Sequence, residues 1–228
     1  MNTLSVIIPV FNEENTVETV LSRVSEQKIP GWKKEIIVVD DGSTDGTQKI
    51  LEKWKKNCLV VLKKKNEGKG SAVTIGMSKS TGDVLLIQDA DSEYDPKDYP
   101  ILLAPFSNPK VMVVYGSRFL GPHLSTQFVY AQGNKFVTLV TNILFNTNIT
   151  DMETGYKVFR KEVIDGMIIQ AKRFDFEPEI TAKILKKGYQ IYEVPISYLG
   201  RKFSEGKKLT WKDGVAAFCT LLKFRLMN

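Results

Sequence analysis

A single histidine, His123, among 228 residues rules out a metal cluster built on imidazoles or a triad driven by one. Whatever chemistry the chain performs relies on carboxylates. Cysteine is almost as scarce: Cys58 and Cys219 lie far apart and are too few for a disulfide framework, and a reducing cytoplasm suits both. Long apolar runs are missing as well. Even the stretch Phe136–Phe145 is broken by Thr138, Thr141 and Asn142, well short of the roughly 20 residues of a membrane span. The first residues carry no basic opening, apolar core and small-residue cleavage site in series, so export is not expected. No Pro/Gly/Ser-rich linker, repeat or low-complexity segment divides the chain, and one domain over residues 1–228 is the expectation.

Apolar residues make up 43% and charged residues 25%, ordinary for a soluble α/β protein. The net charge is +6, with basic residues concentrated in Lys53 to Lys69 and Arg201 to Lys212, which fits phosphate or membrane partners. The first stretch also fits a solvated helix and strand end. Nucleic acid is not an expected partner, because no docking motif or aromatic stacking pattern accompanies the lysines.

Short β-branched runs alternate with helical patterns. Leu4–Val10, Glu35–Asp40, Cys58–Leu62, Val84–Asp89 and Val111–Ser117 read as strands, and Thr16–Glu26, Thr44–Lys56, Gly70–Ser80 and Pro96–Phe106 as helices. Such alternation predicts βαβ units around a mostly parallel sheet with helices on both faces, and ligands then sit at the carboxyl ends of the strands. Beyond residue 117 the pattern loosens into a helix from 127 to 145, a strand Tyr156–Arg160, a helix Pro178–Lys187 and a strand Ile191–Leu199.

Polar sequence follows the early strands and converges on one edge. Asp89-Ala90-Asp91 leaves the buried run Val84–Gln88, and two carboxylates one residue apart share a face in extended chain. Hard ions such as Mg²⁺ or Mn²⁺ take a few carboxylates plus substrate phosphates, and Glu93 adds a candidate third ligand. Asp40-Asp41-Gly42-Ser43-Thr44-Asp45-Gly46 opens a helix, where Ser43, Thr44 or Asp45 offers an N-cap and Asp40 can accept from ribose hydroxyls or a base edge. Asn66-Glu67-Gly68-Lys69-Gly70 looks like a phosphate loop but lacks the spacing and terminal Lys-Ser/Thr of a P-loop.

The ordered set Val6–Glu14, Val38–Ser43, Asn66–Gly70 and Gln88–Asp91 resembles family 2 inverting glycosyltransferases of the GT-A (Rossmann-like) fold. Within that family it is similar to the catalytic domain of dolichyl-phosphate (polyprenyl-phosphate) mannose or glucose synthases. The resemblance implies a nucleotide-sugar-binding half over 1–118, an acceptor-side half over 119–210 and an amphipathic helix over 211–228. It implies that Pro9, Phe11, Glu13, Asp40 and Lys69 surround the nucleoside, that Asp89, Ala90 and Asp91 meet the donor, and that Asp89, Asp91 and Glu93 face the metal. Many members have Gln at the position of Glu93, so an extra negative charge faces that site here. Gly116-Ser117-Arg118 matches a strand end whose arginine looks toward acceptor phosphate, or else makes an ion pair. Asn134-Lys135 and Arg201, Lys202 and Lys207 fall where acceptor and diphosphates are gripped. Asp151, Glu177 and Glu179 fall beside the sugar, although the last two also suit the first turn of a helix.

These implications amount to transfer of a mannose or glucose from a GDP- or UDP-sugar to a polyprenyl or dolichyl phosphate at the cytoplasmic face of a membrane, with Asp89, Asp91 and Arg118 as catalytic residues. A sugar hydroxyl acceptor is the alternative, and it requires a base such as Asp151 or Glu177. A non-catalytic nucleotide-binding or membrane-associating module is a further one. Trp211, Val215, Phe218, Leu222 and Leu226 recur at helical spacing beside Lys212, Lys223 and Arg225, a stripe that either packs on the domain or lies on lipid.

Overall fold

The computed structural model describes residues 2–121, 128–200 and 211–227. β1 (Asn2–Val10) and β2 (Trp32–Asp40) pair in parallel over nine residues, each apolar at its inner end. Alternation along β1 divides its side chains between two cores. Leu4, Val6, Ile8 and Val10 join one with α1 (Val17–Glu26) and α4 (Tyr99–Leu103); Ile7 joins the other with α3 (Lys69–Lys79) and α7 (Phe176–Lys186). Helices therefore cover both faces. Burying each such aliphatic chain contributes about 1.5–3 kcal/mol.

β3 (Leu59–Leu62), β4 (Val84–Ile87), β5 (Val113–Ser117), β6 (Lys157–Arg160) and β7 (Ile191–Pro195) complete a seven-stranded sheet in the order β3-β2-β1-β4-β6-β5-β7. β6 alone runs antiparallel to its neighbours. Strand order reverses between β1 and β4, the position where open α/β sheets leave a crevice for ligand. The sheet interleaves the two halves anticipated from the sequence, because β6 of the second lies between β4 and β5 of the first.

Several boundaries differ from those expected, for identifiable reasons. The helix expected over Pro96–Phe106 is split into a 3₁₀ turn (Pro96–Asp98), α4 and a second 3₁₀ turn (Ala104–Ser107), since Pro96, Pro100 and Pro105 each start a new turn without an N–H to continue the last. β7 stops at Pro195 rather than Leu199; beyond it Ile196 N donates to Ser117 O at 3.2 Å, and a Tyr94–Tyr198 bridge follows. α2 (Thr47–Trp54) begins three residues late because Asp45 Oδ1 accepts from Thr47 N at 2.9 Å. β4 ends at Ile87, so Asp91 sits in a turn and does not share a strand face with Asp89.

α5 (Phe128–Phe145) and α8 (Trp211–Leu226) lie against α7, with α6 (Lys161–Ile164) following β6. α8 packs through Ala217, Leu221 and Phe224 against Val137, Ile149, Met152 and Ala182. The stripe expected either to pack on the domain or to lie on lipid is not the packed one: Val215 and Leu226 are exposed and Phe218 and Leu222 half-buried. No helix among the described residues is long and apolar enough to cross a membrane.

Candidate active site

Gln88, fully buried just past β4, fixes where the chain leaves the sheet. Its Oε1 accepts from Tyr99 Oη and Tyr156 Oη at 2.8 Å each, and its Nε2 donates to the Asp89 carbonyl at 2.9 Å. Asp89 Oδ1 then meets Lys69 Nζ at 2.8 Å, and the same ammonium reaches Glu177 Oε1 at 2.8 Å. Burial opposes the charge on Lys69, but the two carboxylates outweigh it and hold its pKa well above the ordinary lysine value. Asp41 positions this lysine from behind. Its carboxylate accepts from Glu67 N at 3.1 Å and Gly68 N at 2.6 Å and pairs with Lys63, while Gly68 adopts φ 103°, where a side chain would run into the backbone of Lys172.

Asp91 Oδ1 accepts from Glu93 N at 3.1 Å, and Ser92 between them has φ 62°, a conformation costing a non-glycine residue on the order of 1–3 kcal/mol. Glu93, the expected third metal ligand, accepts at Oε2 from the Tyr198 hydroxyl at 2.8 Å. Among the described residues no group of three or more His, Cys, Asp or Glu side chains could cage an ion. Asp89 and Asp91 at the strand end would nonetheless suit a hard divalent cation, which needs only a few protein carboxylates.

The crevice wall is made by the loops after β1 and β2. Asn12, at φ 51°, stitches them together: its N–H donates to Ser43 Oγ at 2.9 Å and its Oδ1 accepts from Thr44 N at 2.8 Å. Pro9 is buried and Phe11 half-buried beside it. Glu13 is 8% exposed and its carboxylate accepts from Thr16 Oγ1 at 2.7 Å. Asp40 is fully buried. Its Oδ2 accepts from Gln48 Nε2 at 2.8 Å and Ser43 N at 3.2 Å, whereas Oδ1 has no hydrogen-bond partner among the described residues. A buried carboxylate oxygen left without a donor is costly, and a ligand hydroxyl or N–H would satisfy it.

Across the site, Arg118 and Asp151 form a bidentate pair, Nε to Oδ2 and Nη2 to Oδ1, both 2.7 Å. Arg118 N and Asn134 Nδ2 also donate to that carboxylate, at 3.0 and 2.9 Å. Burial raises the Asp151 pKa and the Arg118 charge lowers it; with the hydrogen bonds added, the net position is below the ordinary carboxylate value. Asp151 is therefore a fully occupied anchor for Arg118 and neither an open sugar ligand nor a useful base, which corrects two expectations. Glu193 steadies the anchor by accepting from Thr150 N at 2.8 Å and Asp151 N at 3.1 Å. The guanidinium lies 5.1 Å from the Tyr198 ring centroid, and exposed Lys135 lies 6.0 Å from that of Phe119. Arg201, Lys202 and Lys207 lie outside the described residues.

Glu179 leaves the site altogether. Residues two apart on a helix diverge by about 200°, and Glu179 points away from Glu177 to accept from Gln170 N, Ala171 N and Lys183. Its neighbourhood is a loop, not a sugar pocket.

The turn over residues 151–157 joins the two sides. Gly155 passes so close to Asp89 Oδ2 and the Tyr94 ring that a side chain there would strike both, and its N–H donates to Tyr94 Oη at 2.8 Å. Buried Lys157 holds the turn, donating to Met152 O at 2.7 Å and Thr154 O at 2.8 Å. Burial pulls its pKa down to about 8, and burial together with the Glu177 charge pushes Glu153 up to about 8. Polar residues spaced through 151–157 were the available signal; which of them face inward was not.

The sequence from 5 to 167 matches the model of the glycosyl transferase family 2. The dolichol-phosphate mannosyltransferase of Pyrococcus furiosus is 32% identical over 210 residues, covering 90% of this chain and 58% of its own. The UDP-N-acetylglucosamine–dolichyl-phosphate N-acetylglucosaminyltransferase of Methanococcus voltae is 26% identical over 242 residues, covering 96% of this chain and 95% of its own. The chain thus spans little more than half the length of the first relative and nearly all of the second. Among solved structures, glucosyl-3-phosphoglycerate synthase from Mycobacterium tuberculosis in complex with Mn²⁺, UDP and glucosyl-3-phosphoglycerate has a TM-score of 0.76 at 21% identity, covering 98% of this chain and 80% of that one, a likeness of fold. The matched span runs unbroken from β1 through the Asp89 strand end to Lys157, and the chain belongs to glycosyl transferase family 2.

Proposed function

We infer that the chain moves a hexose, mannose or glucose, from a GDP- or UDP-sugar to a polyprenyl phosphate, with Mg²⁺ or Mn²⁺ between Asp89, Asp91 and the donor diphosphate. The observation that carries this reading is the convergence of Asp89, Asp91, Lys69 and the unpartnered oxygen of Asp40 on the β1/β4 crevice. Asp40 accepts from ribose or base, and Lys69 supplies positive charge toward the diphosphate. A divalent cation held there offsets the negative charge that builds on the leaving nucleoside diphosphate. The acceptor oxygen attacks the anomeric carbon as the bond to the diphosphate oxygen breaks, and configuration inverts.

A phosphate acceptor is already ionised near neutral pH and needs no base. That suits a site in which Asp151 is committed to Arg118 and Glu177 to Lys69. The names of the two dolichyl-phosphate relatives support the same acceptor class. Phe136, Leu139 and Ile143 on α5 and Val215 and Leu226 on α8 are exposed, with Phe136 and Phe218 stacked at 6.2 Å between the two helices. This apolar face supports peripheral contact with a lipid surface, and with it a position on the cytoplasmic face of a membrane.

The test is thermal stabilisation by UDP- and GDP-sugars with Mn²⁺, followed by transfer of labelled sugar to a short polyprenyl phosphate. Asp91→Asn is expected to lose metal-dependent donor binding and to reduce transfer by about 10²-fold or more. Unchanged donor affinity in that variant would overturn the assignment.

A further inference from the structure

The segment after β7 returns to the turn that follows β4 and is clipped to it at three points. Ser197 N donates to Asp98 Oδ2 at 2.8 Å, Leu199 N to the Glu93 carbonyl at 3.0 Å and Tyr198 Oη to Glu93 Oε2 at 2.8 Å. Glu93 is thus held through its backbone and its carboxylate by two consecutive residues of one segment. Tyr198 is 6% exposed, its ring 5.3 Å from that of Tyr94 and 5.1 Å from the Arg118 guanidinium. The phenol therefore joins the turn that carries Asp91 to the arginine on the other side of the site.

The carboxylate it takes is one that the strand end could otherwise use. Glu93 N donates to Asp91 Oδ1 at 3.1 Å, so the residue stands directly beside Asp91, yet among the described residues no three carboxylates converge there. Asp89 is itself engaged by Lys69. A hard divalent cation gains affinity with each carboxylate charge that the protein adds. With Glu93 turned to Tyr198 the protein offers few such charges, and the diphosphate of a donor has to supply the remainder. A buried tyrosine hydroxyl needs a single partner, and a backbone carbonyl serves as well as any. Taking a carboxylate instead has the added result of fixing where that charge sits.

We propose that Tyr198 is a positioning residue which keeps the Glu93 carboxylate off the cation site of Asp89 and Asp91, so that a divalent cation binds together with a nucleoside diphosphate rather than alone. The proposal rests on the function inferred above and adds an order of binding to it. It makes the Tyr198 hydroxyl a brake on metal affinity. Removing the hydroxyl should strengthen metal binding, whereas loss of a merely structural contact would weaken it or leave it unchanged. Tyr198→Phe keeps the ring beside Tyr94 and Arg118 and deletes the hydroxyl that reaches Glu93.

The experiment measures Mn²⁺ binding by isothermal titration calorimetry, alone and with saturating UDP or GDP, and thermal unfolding confirms that each protein is folded. Wild type, Tyr198→Phe, Glu93→Gln and the double variant are compared. Wild type is expected to bind Mn²⁺ at least about tenfold more tightly with a diphosphate than alone, and Tyr198→Phe to bind Mn²⁺ alone at least about tenfold more tightly than wild type. Adding Glu93→Gln to Tyr198→Phe should return that affinity to within about twofold of wild type, and Glu93→Gln by itself should leave it there, because its carboxylate is already withheld. Unchanged or weaker binding of Mn²⁺ alone in Tyr198→Phe overturns the inference, as does a gain that persists in the double variant. A tenfold loss in Glu93→Gln overturns it independently, since Glu93 would then already hold the ion in wild type. All of these results leave the proposed function standing. A wild type that binds neither UDP nor GDP in the presence of Mn²⁺ overturns that function and this inference with it.

Discussion

Two buried ion-paired units flank the site, and they are built on opposite plans. Arg118 and Asp151 are matched fork to fork, and Asn134 and the Arg118 backbone amide fill what remains of the carboxylate. Lys69 is a single cation divided between Asp89 and Glu177, and one Glu177 oxygen is left over. A saturated pair serves as a fixture, because any exchange of partner strands a charge. A shared cation facing surplus carboxylate can change partners when a phosphate or metal ion arrives. The Arg118–Asp151 side is thus a rigid wall, and the Lys69 side holds the charges that can rearrange.

The largest effect that would test this contrast is on folding. Asp151→Ala leaves the Arg118 guanidinium, 15% exposed, without its counterion, and urea unfolding should report a loss of about 3–5 kcal/mol. A loss below 1 kcal/mol would mean the pair is not the fixture described. Next, Lys69→Ala should reduce sugar transfer by about 10²–10³-fold while costing less stability than Asp151→Ala, as steady-state kinetics and unfolding on the same samples would show. Equal stability losses in the two variants would erase the distinction. A third test concerns Glu153. Its pKa is raised in the folded state to about 8, so from about 4.5 up to about 8 the folded chain holds a proton that the unfolded chain has released. Stability contributed by that protonation is complete below about pH 4.5 and is lost as pH rises toward 8. Unfolding followed across that window should therefore slope downward more steeply in wild type than in Glu153→Gln.

The parallel part of the sheet and its polar strand ends were largely legible in the sequence. β-branched runs such as Val6–Ile8 and Ile36–Val39 have one physical use, a strand covered on both faces, and the polar turns after them must gather at one edge once the strands run parallel. Asp89, Asp91, Asp40 and Lys69 were placed by that logic. Roles that depend on which oxygen meets which hydrogen were not. Asp151 and Glu179 are acidic residues at apt positions, yet the first is filled by Arg118 and the second serves a loop amide pair. Tyr94, Tyr99 and Tyr156 form a packed cluster under Gln88 from two distant segments, and no local pattern reports such a meeting. In α8, two apolar stripes share one helix, so periodicity alone favoured the longer one while packing took Ala217, Leu221 and Phe224.

The position of β6 bears on how the molecule is made. Val84 pairs with Arg160 and Val113 with Phe159, so the edges of β4 and β5 wait open while the intervening chain is synthesised. Until then two apolar strands offer unsatisfied amides to any passing chain, a hazard for aggregation on the ribosome. A fragment cut after Ser117 would keep that exposure permanently, and the donor side should not be recoverable as a soluble piece by itself.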